Sequence, residues 1–185
     1  MHTPLRGIQG ITLIELLVVI IILSILAGMA LPAFANIGQS IASRAARSEL
    51  SVALAQARAS AVMTRGEVVA CPSLDQATCL AGTRWHHGWI LFQDTNRNRS
   101  ADPGERLIGV AQAQRKGVAI LASAGRRTIR FQADGTSDGS NVTLTFCDRR
   151  GAAHARALVM NNAGRVRSGV PSASQAEAAC AAIGS

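Results

Sequence analysis

Gly10-Ile11-Thr12-Leu13-Ile14-Glu15-Leu16 opens the stretch that decides the fold. No charge follows from Leu16 to Leu31, and Pro32 closes the run. At about 1.5 Å per residue, the apolar run from Ile11 to Leu31 makes roughly 30 Å of helix, the thickness of a hydrocarbon core. Its Ile, Leu and Val content reads as a membrane-spanning helix. Glu15 sets it apart from an ordinary anchor. A carboxylate at the centre of a bilayer costs about 2.5–3.5 kcal/mol and needs a partner. One reading lets Glu15 snorkel to the interface. The other pairs it with an amine, and the run itself holds no Lys or Arg.

The residues before the run point to such an amine. Met1 to Gly10 carries one basic residue, Arg6, and no acid. A secretory signal is cut after its apolar region, near small residues. Here Ala27-Gly28-Met29-Ala30 is a poor site of that kind. A cut between Gly10 and Ile11 would keep the helix and place a free amine four residues from Glu15.

Gly10-Ile11-Thr12-Leu13-Ile14-Glu15-Leu16 resembles the leader of type IV pilins and type II secretion pseudopilins. The resemblance implies a prepilin peptidase that cuts after Gly10 and methylates Ile11. It gives Glu15 a part in subunit assembly and makes Pro32 the helix-breaking proline. Ile11 departs from the commoner Phe or Met at the new N-terminus.

The 185 residues leave room for one domain of ordinary size beyond the anchor. Net charge is +8, and all but one of the 19 basic residues are Arg. Residues 1–114 are net +2 and residues 115–185 net +6, so the positive charge gathers in the C-terminal part. Such a balance favours anionic partners. Tyr is absent and aromatics are 3%, which argues against a stacking platform for single strands.

Cys71, Cys79, Cys147 and Cys180 all follow the anchor. If the short basic leader stays inside, they lie outside the cytoplasm. An even count there favours two disulfides, with three possible connectivities. Cys71–Cys79 with Cys147–Cys180 is the preferred pairing, because neither bridge crosses the other's loop. A zinc site from Cys71, Cys79, His86 and His87 is the rival, and its spacing matches no common zinc pattern.

After Pro32 the helix should resume. Asn36 to Met63 is Ala-rich, with Ile37, Ile41, Ala45, Leu50, Leu54, Ala57 and Ala61 at mostly helical spacing. Arg44, Arg47, Glu49 and Arg58 are expected on the opposite face. Gly28 and Pro32 mark its weak point. From Gly66 short strands are predicted at Glu67–Cys71, Gly88–Gln93, Arg106–Ala111, Val118–Leu121, Thr128–Ala133, Asn141–Cys147 and Ala155–Met160, with a short one near Arg165–Arg167. Asp134-Gly135 and Asn162-Ala163-Gly164 look like hairpin turns. Ser168–Ser185 reads as a loop or short helix held by Cys180. The fold class is α+β: a long N-terminal helix on an antiparallel head. The expected divisions are a leader at 1–10, a transmembrane and assembly helix at 11–35, an amphipathic continuation at 36–65 and a β-rich head at 66–185.

The head has its own likeness. Cys71-Pro72, Cys79, Trp85-His86-His87-Gly88-Trp89-Ile90-Leu91-Phe92-Gln93-Asp94, Asn96 and Glu105-Arg106 resemble the GspH/FimT subgroup of minor pilins. So do Phe131-Gln132-Ala133-Asp134-Gly135 and Gly164-Arg165-Val166-Arg167. The resemblance implies a helical spine with two small β-sheets. It also implies other pilin subunits as partners, an inner-membrane anchor with the head in the periplasm, and later a place in a filament.

Asp94 to Glu105 places acids or amides at positions 1, 3, 5, 9 and 12 of an EF-hand-like loop. Arg99 stands where that loop needs Gly, so a hairpin loop held by local hydrogen bonds is the better reading. No Gly-x-Ser-x-Gly, His-Glu-x-x-His or phosphate-loop pattern is present. Neither catalysis nor a cofactor or metal is expected.

Gly164-Arg165-Val166-Arg167 carries the functional reading. On a strand, Arg165 and Arg167 share a face. Two guanidiniums about 7 Å apart match successive phosphates along one DNA strand. A solvated strand face is the bland alternative. In the FimT branch, which serves type IV pili in DNA uptake, a Gly-Arg-x-Arg motif is associated with DNA binding. The resemblance thus implies DNA as partner, bound through Gly164, Arg165 and Arg167. Arg149, Arg150, Arg156, Arg126, Arg127 and Lys116 are candidates to widen the patch. The alternative is a purely structural pseudopilin of type II secretion.

Overall fold

The computed structural model describes residues 12–137 and 139–184, and of residues 29–33 the backbone alone. The readings placed on Gly10 and Ile11 lie outside the described residues. The chain divides into two units, residues 1–38 and 39–185.

The first unit holds the opening of helix α1 (Leu13–Thr64). Thr12 starts it: its hydroxyl accepts the Glu15 N–H at 3.3 Å, one of the donors a helix start leaves over. Glu15 stands in the first turn, where the helix dipole favours negative charge. The large apolar side chains from Leu16 to Leu26 are exposed on every side of the helix. Among the described residues no helix is long and apolar enough to cross a membrane. The run read from the sequence extends to Ile11 and into side chains 29–31, outside that description. Pro32 falls inside the bounds of α1.

In the second unit α1 buries a narrow stripe: Ala46, Leu50, Leu54, Ala57 and Ala61, each at most 1% exposed. The spacing of three and four residues keeps them on one face. The sequence pattern had placed that face slightly differently. Ala45, Ile37 and Ile41 are exposed, and Ala46 takes the buried place. Arg58, expected on the solvated side, turns inward and donates from Nε to the Gly135 carbonyl at 2.9 Å.

Two antiparallel sheets close over this stripe. The first has the order β3–β2–β1–β5, from β1 (Glu67–Pro72), β2 (Trp89–Asp94), β3 (Leu107–Ala111) and β5 (Ile129–Phe131). The second has the order β4–β6–β7–β8, from β4 (Val118–Ala122), β6 (Val142–Asp148), β7 (Arg156–Met160) and β8 (Val166–Gly169). Every predicted strand has its counterpart within a few residues. Alternation sorts their side chains. Val68, Ala70, Leu91 and Phe131 of the first sheet meet Ile120, Leu144, Phe146 and Leu158 of the second in one core with the helix. Val69, Cys71, Ile90 and Phe92 point the other way, into a smaller core shared with Cys79 and Ala101 of the covering loops. Asn162-Ala163-Gly164 joins the paired strands β7 and β8. Asp134-Gly135 also reverses the chain, with the Gly135 N–H on the Gln132 carbonyl at 2.8 Å. It is no hairpin between paired strands, because β5 and β6 go to different sheets.

Trp85 and His86 fill the seam between the sheets. Both are buried, and the Trp85 backbone N–H donates to the Ile120 carbonyl at 2.9 Å. The Asp94–Glu105 loop is closed from within. Asp94 accepts the N–H groups of Asn98 and Arg99, Asp102 accepts both Asn96 and Asn98 side-chain amides, and Glu105 accepts Thr95. Beyond β8 lies helix α2 (Ala173–Ala181), begun by a reciprocal capping box between Ser172 and Gln175. Disulfides join Cys71 to Cys79 and Cys147 to Cys180. The second ties α2 to β6 across 33 residues of sequence.

Loop-closure entropy assigns about 2.6 kcal/mol to the shorter bridge and about 3.7 kcal/mol to the longer. Urea unfolding of the full chain in nonionic detergent should therefore show a larger loss for Cys147→Ala/Cys180→Ala than for Cys71→Ala/Cys79→Ala. The reverse order would contradict the role of α2 as a segment held down by its bridge.

Candidate nucleic-acid interface

The β7–β8 turn begins at Asn161. Its carbonyl accepts the Gly164 N–H at 2.9 Å and its side chain the Arg165 N–H at 3.2 Å. Gly164 follows with φ +70°, a left-handed conformation that glycine adopts without strain. A Cβ here would also run into the Gly135 carbonyl, the oxygen that Arg58 holds. The glycine of the Gly-Arg-x-Arg motif therefore seats the hairpin against a second turn and, through it, against α1.

The chain leaves Gly164 into the edge of the second sheet, since β8 ends the strand order and, among the described residues, pairs with β7 alone. Val166 packs on the core. Arg165 and Arg167 flank it and stand exposed on the other face, with Arg167 opposite Val159. Among the described residues, neither guanidinium makes a hydrogen bond or ion pair.

A second set of arginines adjoins this turn. The Ser137 N–H bonds the Asn162 carbonyl at 2.7 Å and so joins the loop before β6 to the hairpin. Arg126 reaches the same loop, bonding the Gly139 carbonyl and, at 2.8 Å, the Asn141 side chain. Arg126, Arg127, Arg99 and Arg130 line a cavity of about 490 Å³. Arg130 also pairs with Glu67 at 3.7 Å. Arg99 was not singled out from the sequence. It sits in the weakly charged N-terminal part, and its left-handed φ of +64° is set by the carboxylate of Asp94 on its N–H.

The remaining candidates lie elsewhere. Lys116, Arg149, Arg150 and Arg156 gather where Val118 pairs with Asp148 and Phe146 with Arg156. That end is roughly 20 Å along β6 from Val142, beside the hairpin. Arg156 pairs in phase with the core-facing residues Leu158 and Met160, whereas Arg167 lies on the opposite face. Arg150 is already engaged, gripping Asp148 with two bonds of 2.8 Å. Burial alone would push the Asp148 carboxyl up, but the bonds and charge of Arg150, with help from the Ser43 hydroxyl, hold it below the usual carboxylate range. The seven arginines and one lysine thus do not form one widened patch. Arg126 and Arg127 join Arg165 and Arg167; the others make a separate cluster.

Comparison with known proteins fits this architecture. The family model for the type II transport protein GspH matches residues 46–164, well over half of the chain. The chain belongs to the GspH family. A second model, the prokaryotic N-terminal methylation motif, matches residues 5–31. Among solved structures, the fold is similar to the type IV minor pilin FimU of Pseudomonas aeruginosa in two crystal forms. In one the TM-score is 0.56 at 18% identity, over 78% of this chain and 96% of that one. In the other it is 0.54 at 19% identity, over 74% and 98%. No curated protein matches the chain. The chain thus carries an N-terminal methylation motif ahead of a GspH-family head whose fold is similar to that minor pilin's.

Gly164→Ala should destabilise the head by about 1–3 kcal/mol, because it adds strain at φ +70° and collides with Gly135. Arg165→Gln, an exposed change, should stay within about 0.5 kcal/mol. Urea unfolding of both variants measures this. Equal stability of Gly164→Ala and the parent would remove the turn from its supporting role.

Proposed function

We propose that this family member is a minor pilin that holds extracellular DNA by its phosphates and supports DNA uptake. The observation that carries the reading is the pair Arg165 and Arg167, two unpartnered exposed guanidiniums on a sheet edge braced by Gly164. Their spacing suits successive phosphates; Arg126 on the loop tied to the same turn adds positive charge there, and Arg127 and Arg99 line the cavity it opens onto. Contacts of this kind fix position without reading sequence.

The rest of the proposal follows the methylation motif. A prepilin peptidase cuts after Gly10 and methylates Ile11. The apolar helix, exposed on every side, needs a covering other than water. The inner membrane supplies it first, with the head in the periplasm, and neighbouring subunits supply it in the filament. Glu15 then meets the amine of another subunit's N-terminus, since the stretch offers no cation of its own. Membership in the GspH family of type II transport proteins favours a second reading, a structural pseudopilin of type II secretion with no DNA role.

Duplex binding by the full chain in nonionic detergent should be independent of sequence and fall steeply with salt. Each lost phosphate contact should reduce the slope of log K against log salt by about 0.9. Arg165→Gln/Arg167→Gln should lower both affinity and slope, while Arg→Lys at both positions should be only partly tolerated, because Lys loses the two-pronged grip. Equal binding by the double Gln variant would move the site elsewhere. No binding at low salt would leave the structural pseudopilin.

A further inference from the structure

The other basic cluster has a different form. The helix face at Ser40, Arg44 and Arg47 looks across a cleft of about 270 Å³ at His154 and Arg156. Residues 40, 44 and 47 fall on one face by helical spacing. Ser43 and Arg150 complete the wall, both tied to the buried Asp148. The 3-10 turn Ala152–His154 brings His154 to the rim.

Among the described residues, no carboxylate lines this cleft. The nearest acid, Asp148, is consumed by Arg150, and Glu49 on the same helix accepts the Gln114 side chain at 3.0 Å. Among the described residues, Arg156 bonds only the Ala155 carbonyl, at 2.8 Å. Three guanidiniums therefore face one another without an acidic counterpart. Arg47 feels this most: it is half-buried, and burial first, then the charges of Arg156 and Arg44, lower its pKa below the ordinary value. Like charges gathered in a partly desolvated cleft are costly unless an anion sits among them.

We propose that this cleft binds a phosphate group, as free phosphate or a small phosphate monoester. Three guanidiniums with a serine hydroxyl and an imidazole match a multiply charged tetrahedral oxyanion better than a single carboxylate. The space is large enough for one such group. The site is separate from the proposed DNA contacts, which lie at the other end of the sheet and on its other face, so it does not rest on the DNA reading.

The test is calorimetric titration of the full chain, in nonionic detergent and phosphate-free buffer at neutral pH, with inorganic phosphate. Saturable binding of one phosphate per chain is expected. Arg47→Gln and Arg156→Gln should each weaken it about ten- to a hundredfold, the value of a charge-assisted hydrogen bond. Neither change should harm folding, since each relieves repulsion, and a thermal melt checks that. Arg165→Gln/Arg167→Gln should bind phosphate as the parent does. Competition by glycerol phosphate at similar concentration would extend the site to monoesters; its exclusion would assign the cleft to free phosphate. No saturable binding below about 10 mM phosphate would overturn the proposal. So would unchanged binding in both single variants, or acetate binding as well as phosphate.

Discussion

The head depends on how closely two sheets can approach one helix. Alanine at 46, 57 and 61 and leucine at 50 and 54 give α1 a face narrow enough for that, and all five are sealed from water. Phe131 and Leu91 of one sheet and Phe146 and Leu144 of the other then share a single core around it. A large side chain at any of the alanines would push a sheet away, because packed interiors leave no spare volume. The same closure sets the outward faces. Val166 is drawn inward, so Arg165 and Arg167 must point out.

Arg58 carries that constraint from the helix to the edge strand. Its bond to the Gly135 carbonyl fixes one turn, and Gly164 fits closely against the same oxygen. Three distant sequence positions thus meet at one backbone atom. The consequence is a rigid base for a short edge strand that would otherwise fray. Charged residues on such an edge also discourage pairing with another chain's strand. That is the bland role of Arg165 and Arg167, and it is compatible with a phosphate contact.

Much of this was legible in the sequence. Strand periods, turn residues and the Ala-rich helix located α1 and every strand, left α2 as a loop or short helix, and did not show the 3-10 turn Ala152–His154; the two-disulfide pattern fits both bridges. The spacing of Arg165 and Arg167 predicted their shared face. Four further things were not legible. A one-residue shift in the helix face, from Ala45 to Ala46, escapes an Ala-rich pattern because alanine neither marks nor forbids burial. The inward turn of Arg58 depends on a carbonyl 77 residues away. The division of the C-terminal arginines into two clusters depends on strand order, which charge counting along the chain does not contain. Arg99 was hidden for the same reason: it reaches Arg126 and Arg127 only through the fold.

The central claim is that nucleic-acid phosphates meet the β8 edge and the loop beside it, and not the arginines at the far end of the sheet. Amide hydrogen exchange of the full chain in nonionic detergent, with and without duplex DNA at low salt, tests this most directly. The account predicts slowed exchange at residues 164–169 and 125–128, with residues 149–156 unchanged. Protection centred on 149–156, or none in the head at all, would contradict it.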